Sequence, residues 1–149
     1  MSTDENYTED LVQTAEDGKE GYAKGAEELA DSDHAEFVTT FRDFSEQRQG
    51  FADELRGMAS AYGDNVNEGG SVAAAAHRGW MALKDAVTGS GPESVLKTAL
   101  QGEDHAIKEY EKALEQDLSA DLRTLVERQL QQIKSARHEV SALLERVTS

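Results

Sequence analysis

The 149-residue chain carries 15 basic and 30 acidic residues, a formal net charge of −15 with its histidines neutral. So acidic a chain disfavours nucleic acid and anionic membrane surfaces as partners. The absence of cysteine excludes disulfides, thiolate metal sites and thiol nucleophiles. With one proline and a predominance of good helix formers, the composition favours a single all-α domain.

The N-terminal sequence MSTDENYTED is polar and acidic, unlike a secretory signal peptide. Residues 1–7 are predicted to be a flexible acidic lead-in, and residues 8–149 a single helical bundle domain. No run approaches the roughly 18 apolar residues that a membrane span needs. We therefore expect a cytoplasmic protein.

Two long amphipathic helices are predicted in the first 62 residues. The first runs from about Thr8 to Ala30, and the second follows the turn and cap Asp31-Ser32-Asp33 and runs to about Tyr62. The short turn between them indicates an antiparallel pair. The inward stripes have helical spacing. They contain Leu11, Ala15, Gly18, Tyr22, Ala26 and Leu29 in the first helix, and Phe37, Phe41, Phe44, Arg48, Phe51, Leu55, Met58 and Tyr62 in the second. The glycines Gly18, Gly21 and Gly25 predict a groove for close packing.

A glycine-rich loop, 63–70, precedes a predicted short helix from Val72 to Thr88, whose apolar face includes Trp80. Pro92 then begins a helix that is predicted to reach Leu118. Ser119 is placed to cap a last helix from Ala120 to Val147. Glu103 and Gln129 each fall in the middle of an inward stripe.

Two helical hairpins joined by about 30 residues that carry their own short helix match one topology. This topology is an all-α, ferritin-like, up-down four-helix bundle with one long crossover.

Several local strings resemble a bacterial ferritin-like family known as a domain of unknown function. The resemblance covers about Thr8 to Val147 and implies a ferritin-like bundle without an established activity. The strings are Asp17-Gly18, Gly21-Tyr22, Arg48, Phe51, Glu54-Leu55, His77-Arg78-Gly79-Trp80-Met81, Gly102-Glu103-Asp104 and Tyr110.

Ferritin-like di-metal sites take a Glu from each of two helices and a Glu-x-x-His from each of the other two. No Glu-x-x-His occurs in this chain, because the residues three before its histidines are Asp31, Ala74, Gly102 and Ser135. The mid-helix inward positions hold Gly18, Arg48, Glu103 and Gln129. Only Glu103 is an inward candidate ligand, so no metal, cofactor or catalytic residue is predicted.

A polar core layer in place of a di-metal centre is the favoured interpretation. Arg48 can present a bidentate fork to Glu103, with Gly18 leaving room for the arginine. Gln129 can satisfy leftover donors, and the hydroxyls of Tyr22 and Tyr110 can complete the layer. A metal site and a small-molecule site, with the crossover helix as a lid, stay open as alternatives.

The leading functional hypothesis is a non-enzymatic accessory or interaction protein, with stress physiology suggested only by analogy with other ferritin-like proteins. The alternative is a di-iron or di-manganese carboxylate protein, an oxidase or an iron-handling protein, with a degenerate ligand set. A homodimer stays open as well, because Gly50 and Gly57 on the outer face of the second helix could seat either the crossover helix or a second subunit.

Overall fold

The structure is a computed structural model that describes residues 3–30, 34–61 and 91–148. Side chains are described for all of these except residues 3–5, 60 and 61. Within these ranges the chain forms four helices, α1 (Thr3–Ala30), α2 (Phe37–Ala61), α3 (Pro92–Leu114) and α4 (Ala120–Thr148). The predicted short helix from Val72 to Thr88, with its Trp80, lies outside the described residues.

The helices pair as two antiparallel hairpins. In the first hairpin, Gly25 of α1 lies beside Phe41 near the start of α2, and Gly18 lies beside Arg48 further along it. In the second hairpin, Asp104 of α3 bonds Arg137 of α4, whereas Glu111, later in α3, pairs with the earlier Lys134 at 3.7 Å. Short connections within each hairpin favour this antiparallel arrangement of neighbouring helices.

The two hairpins pack so that α1 lies against α3 and α2 against α4, which leaves α2 and α3 diagonally opposite. A Cβ on Gly25 would meet both Phe41 and Val95, so the starts of α2 and α3 lie at the same end of the bundle. The end of α2 is therefore at the other end, about 37 Å away for a 25-residue helix. The connection from the end of α2 to the start of α3 must therefore span the length of the bundle. One long crossover of this kind is typical of the ferritin-like topology, which confirms the predicted fold class.

The core consists of two apolar clusters, and Arg48 and Glu103 lie between them. The cluster near the starts of α2 and α3 contains Tyr22, Phe37, Phe41, Phe44, Leu96, Ala99 and Val140, among others. The cluster at the opposite end contains Leu11, Val12, Phe51, Leu55, Tyr110, Leu122, Val126 and Ile133, among others. Burial of these side chains from water is the main stabilising contribution to such a bundle.

Two helix boundaries differ from the sequence prediction. Helix α1 begins at Thr3 and not near Thr8; acidic residues in a first turn favour helix because they interact with its dipole. Helix α3 ends at Leu114 and not at Leu118. The Arg123 guanidinium donates to the carbonyl oxygens of Leu114, at 3.0 Å, and Gln116, at 2.7 Å, which satisfies acceptors at this helix end.

Among the described residues, no helix is both long and apolar enough to span a membrane. The division of the chain into a flexible N-terminus over residues 1–7 and a single domain over residues 8–149 stays a prediction.

Candidate functional site

A buried ion pair crosses the diagonal of the bundle. Arg48 of α2 donates from Nη1 to Oε1 of Glu103 and from Nη2 to Oε2, both at 2.6 Å. The side chains are only 2% and 0% exposed, respectively. This parallel two-bond geometry is the strongest that a guanidinium and a carboxylate can form, and it fixes their relative orientation. The pair thus links the first hairpin to the second at the middle of the core.

Tyr22 of α1 adds a third hydrogen bond to the same carboxylate. Its hydroxyl donates to Oε2 of Glu103 at 2.6 Å. Its ring lies edge-on to Phe41 and Phe44, with centroids 5.0 and 5.3 Å away. The ring is therefore held by the apolar cluster while its hydroxyl reaches the charged layer, as is usual for a buried tyrosine.

Burial and charge both act on the ionisation of these groups. Burial lowers the pKa of Arg48, but the negative charge and hydrogen bonds of Glu103 outweigh it and hold this pKa above its ordinary value. Burial raises the pKa of Tyr22 well above its usual range, and the charge of Glu103 raises it further. The layer consequently contains a guanidinium cation and a neutral phenol around the Glu103 side chain.

The arginine side chain fits because of a glycine and two aromatic rings. A Cβ on Gly18 would lie 3.0 Å from Nη1 of Arg48 and 3.2 Å from its Cγ, so this glycine gives the arginine its space. Arg48 Cζ is 5.4 Å from the ring centroid of Tyr22 and 5.7 Å from that of Phe51. Both distances suit attraction between a cation and an aromatic ring.

Gln129 and Tyr110 form a second network and not a direct extension of the ion pair. The Tyr110 hydroxyl donates to Oε1 of Gln129 at 2.6 Å. Nε2 of Gln129 donates to the backbone oxygen of Phe51 at 3.3 Å and to Oε1 of Glu54 at 3.1 Å. All five predicted layer residues are buried, but the structure divides them between Tyr22–Glu103–Arg48 and Tyr110–Gln129.

The sequence did not predict that three further side chains belong to these networks, namely Gln47, Glu54 and Arg128. Gln47 accepts from Nε of Arg48 at 3.1 Å, which is the role expected for Gln129. Glu54 accepts from Gln129 and, at 2.5 Å, from Nη2 of Arg128. Glu54 is exposed, six residues after Arg48 in α2, so it gives no signal in an argument from the periodicity of inward positions.

The residues at the centre do not fit a di-metal site. Such a site needs several carboxylates and imidazoles around one position, whereas here both Glu103 oxygens receive donors from Arg48 and Tyr22. A cationic guanidinium beside the carboxylate repels a second cation. In the described part of the chain, no group of three His, Asp or Glu side chains could hold a metal ion. His105 and His138 are exposed.

The fold and this core define a ferritin-like four-helix bundle with a charged, hydrogen-bonded layer at its centre. The chain belongs to the family described as "Domain of unknown function (DUF2383)", whose model matches residues 5–116. A solved structure of a mutant of Dps1 from Mycobacterium smegmatis is similar, with a TM-score of 0.85 and 13% sequence identity over 95% of this chain and 94% of that one. At this identity the similarity shows the fold alone. No curated protein matches the sequence.

Proposed function

We propose that this protein is a non-enzymatic, cytoplasmic member of the ferritin-like class that acts through its surface as an accessory or interaction protein. The observation that carries the proposal is the bidentate Arg48–Glu103 pair, at the centre of the bundle where di-metal proteins of this class gather their ligands. Arg48 balances the charge of Glu103 within the core, so the carboxylate needs no metal for its charge to be tolerated there.

The charge of the chain narrows the class of partner. A formal net charge of −15 opposes the neutralisation of phosphates on which nucleic-acid binding depends, and equally opposes contact with anionic lipid. It favours association with a protein whose contact surface is basic. This partner is either a different protein or a second copy of the chain. Measurement of the mass of the purified protein in solution, with and without cell extract, distinguishes the two.

The alternative is a di-iron or di-manganese carboxylate protein. In such a protein, Glu103 would bind the metal in place of its three hydrogen-bond donors, and further metal ligands would have to lie nearby. Glu54 is the additional carboxylate in the two networks, but it is bonded to Arg128 and Gln129. The similarity of fold to Dps1 gives this alternative no residue-level support.

Metal content tests the proposal directly. Protein purified without chelators should contain far less than one equivalent of iron, manganese or zinc per chain by elemental analysis, and should not oxidise ferrous iron faster than buffer. The physical reason is the cation at Arg48 and the missing histidine ligands. Two equivalents of stoichiometric iron, lost on Glu103→Ala, would refute the proposal.

A further inference from the structure

The surroundings of the Arg48 guanidinium have the composition of a cation-binding site. One wall is the Glu103 carboxylate, whose two oxygens each accept one N–H group at 2.6 Å. The rings of Tyr22 and Phe51 lie within 5.7 Å of Cζ. Gly18 forms a further wall without a side chain. A carboxylate combined with aromatic faces is the chemistry that proteins use to bind organic cations.

We propose that Glu103, Tyr22 and Phe51 form a guanidinium-binding site that the protein fills with its own Arg48. The ligand class is a small planar cation with two parallel N–H donors. An ammonium group lacks this planar fork and cannot donate two parallel N–H bonds, one to each carboxylate oxygen. Aromatic rings offer a divalent metal no lone pairs, so they favour an organic cation over a metal ion.

The inference rests on the proposed function, because it assumes that no metal occupies the centre of the natural protein. It goes further by naming the kind of ion for which the centre is shaped. It implies that the space left by removing the arginine side chain keeps its selectivity, because the walls belong to α1, α2 and α3 and are held by the apolar clusters at either side.

The test is replacement of the lost side chain by a free cation. Arg48→Ala should lower the Tm of the full-length protein by about 10 °C, because one buried charge loses its partner. Millimolar methylguanidinium chloride should restore most of this loss with a saturable dose dependence, and should leave the wild-type Tm unchanged because Arg48 already fills the site. Equal concentrations of tetramethylammonium chloride, which has no N–H donors, and of urea, which has no charge, should not restore it.

The double variant Arg48→Ala/Glu103→Gln is the matched control, and methylguanidinium should not raise its Tm. If Arg48→Ala is unfolded, the same titration is followed by far-ultraviolet circular dichroism, and helix should form in a saturable manner. Absence of any saturable response to methylguanidinium, or an equal response to urea, overturns the inference. So does restoration by manganese chloride alone.

Failure of this inference is distinguishable from failure of the proposed function. The metal content of the wild-type protein decides the proposed function, whereas the response of Arg48→Ala to methylguanidinium decides the site. A wild-type protein without metal whose Arg48→Ala variant ignores methylguanidinium would overturn the site alone.

Discussion

Arg48 and Glu103 each lose their hydration in the core, which is expensive for an isolated charge. The loss is offset by two short hydrogen bonds between them, by the Tyr22 hydroxyl on Glu103 and by Gln47 on Nε of Arg48. A buried pair of this kind contributes little net stability, yet removal of one member leaves the other charge without compensation.

A double-mutant cycle should therefore show strong coupling between the two residues. Arg48→Met and Glu103→Leu should each lower the free energy of unfolding by about 3–5 kcal/mol, whereas the double variant should recover much of the loss. The coupling energy should exceed about 1 kcal/mol, which is more than an exposed pair gives. Thermal or urea unfolding of the four proteins measures it.

The same four proteins, unfolded with and without chelator, provide the control for a metal. If Glu103 were a metal ligand, chelator would destabilise the wild type, and Arg48→Met would not rescue Glu103→Leu. Additive effects within error would mean that the two side chains do not interact.

At the scale of the helix, the glycines of α1 determine how closely α2 approaches. A Cβ on Gly25 would lie 2.7 Å from two atoms of the Phe41 ring and 3.3 Å from Val95. A contact of 2.7 Å is too short for carbon atoms, so the aromatic ring or a helix must move to accept a side chain. The glycine pattern therefore serves packing, as the sequence predicts, and Phe41 is the side chain that occupies this part of the groove.

Gly25→Leu should destabilise the protein by about 1–3 kcal/mol, because overpacking outweighs a gain in helix propensity of up to about 1 kcal/mol. Gly57→Ala is the matched control, since nothing lies within 4 Å of a Cβ at this exposed position of α2. This control should be neutral or stabilising in urea unfolding. A rise in stability for Gly25→Leu would contradict the packing described.

Helical periodicity predicted the elements and their inward faces because burial repeats every three or four residues. It could not predict which polar partner each inward side chain would choose. From the sequence, either Gln47 or Gln129 could bond Arg48 in a core layer. Which of them does so depends on the rotation of each helix and on the side-chain rotamers, and only packing determines these. The end of α3 was missed for a similar reason, because Arg123, from the next helix, satisfies its last carbonyl oxygens.

At the scale of the whole molecule, two buried phenols make stability sensitive to high pH. Burial is the largest cause that raises the pKa of both Tyr22 and Tyr110. In the unfolded chain these phenols ionise near pH 10, whereas in the folded protein they stay protonated. The folded state then binds more protons, so stability is fully present below about pH 10 and falls as the pH rises above it.

Tyr22→Phe/Tyr110→Phe should therefore lose stability less steeply with pH than the wild type above about pH 10. Each tyrosine contributes up to about 1.4 kcal/mol per pH unit. Urea unfolding at a series of pH values measures the slope, and Tyr7→Phe, at a partly buried position, gives the effect of losing a phenol outside the core. Equal slopes for the wild type and the double variant would mean that the two phenols ionise alike in the folded and unfolded states.

The diagonal position of the ion pair also has a kinetic consequence. Each hairpin joins neighbouring helices through local contacts, which form fast, whereas Arg48 and Glu103 are 55 residues apart and meet only when the hairpins dock. A docking event in the wrong register buries a guanidinium and a carboxylate apart from each other. We therefore expect misdocked bundles to be short-lived, so that the charged layer favours the correct assembly during folding.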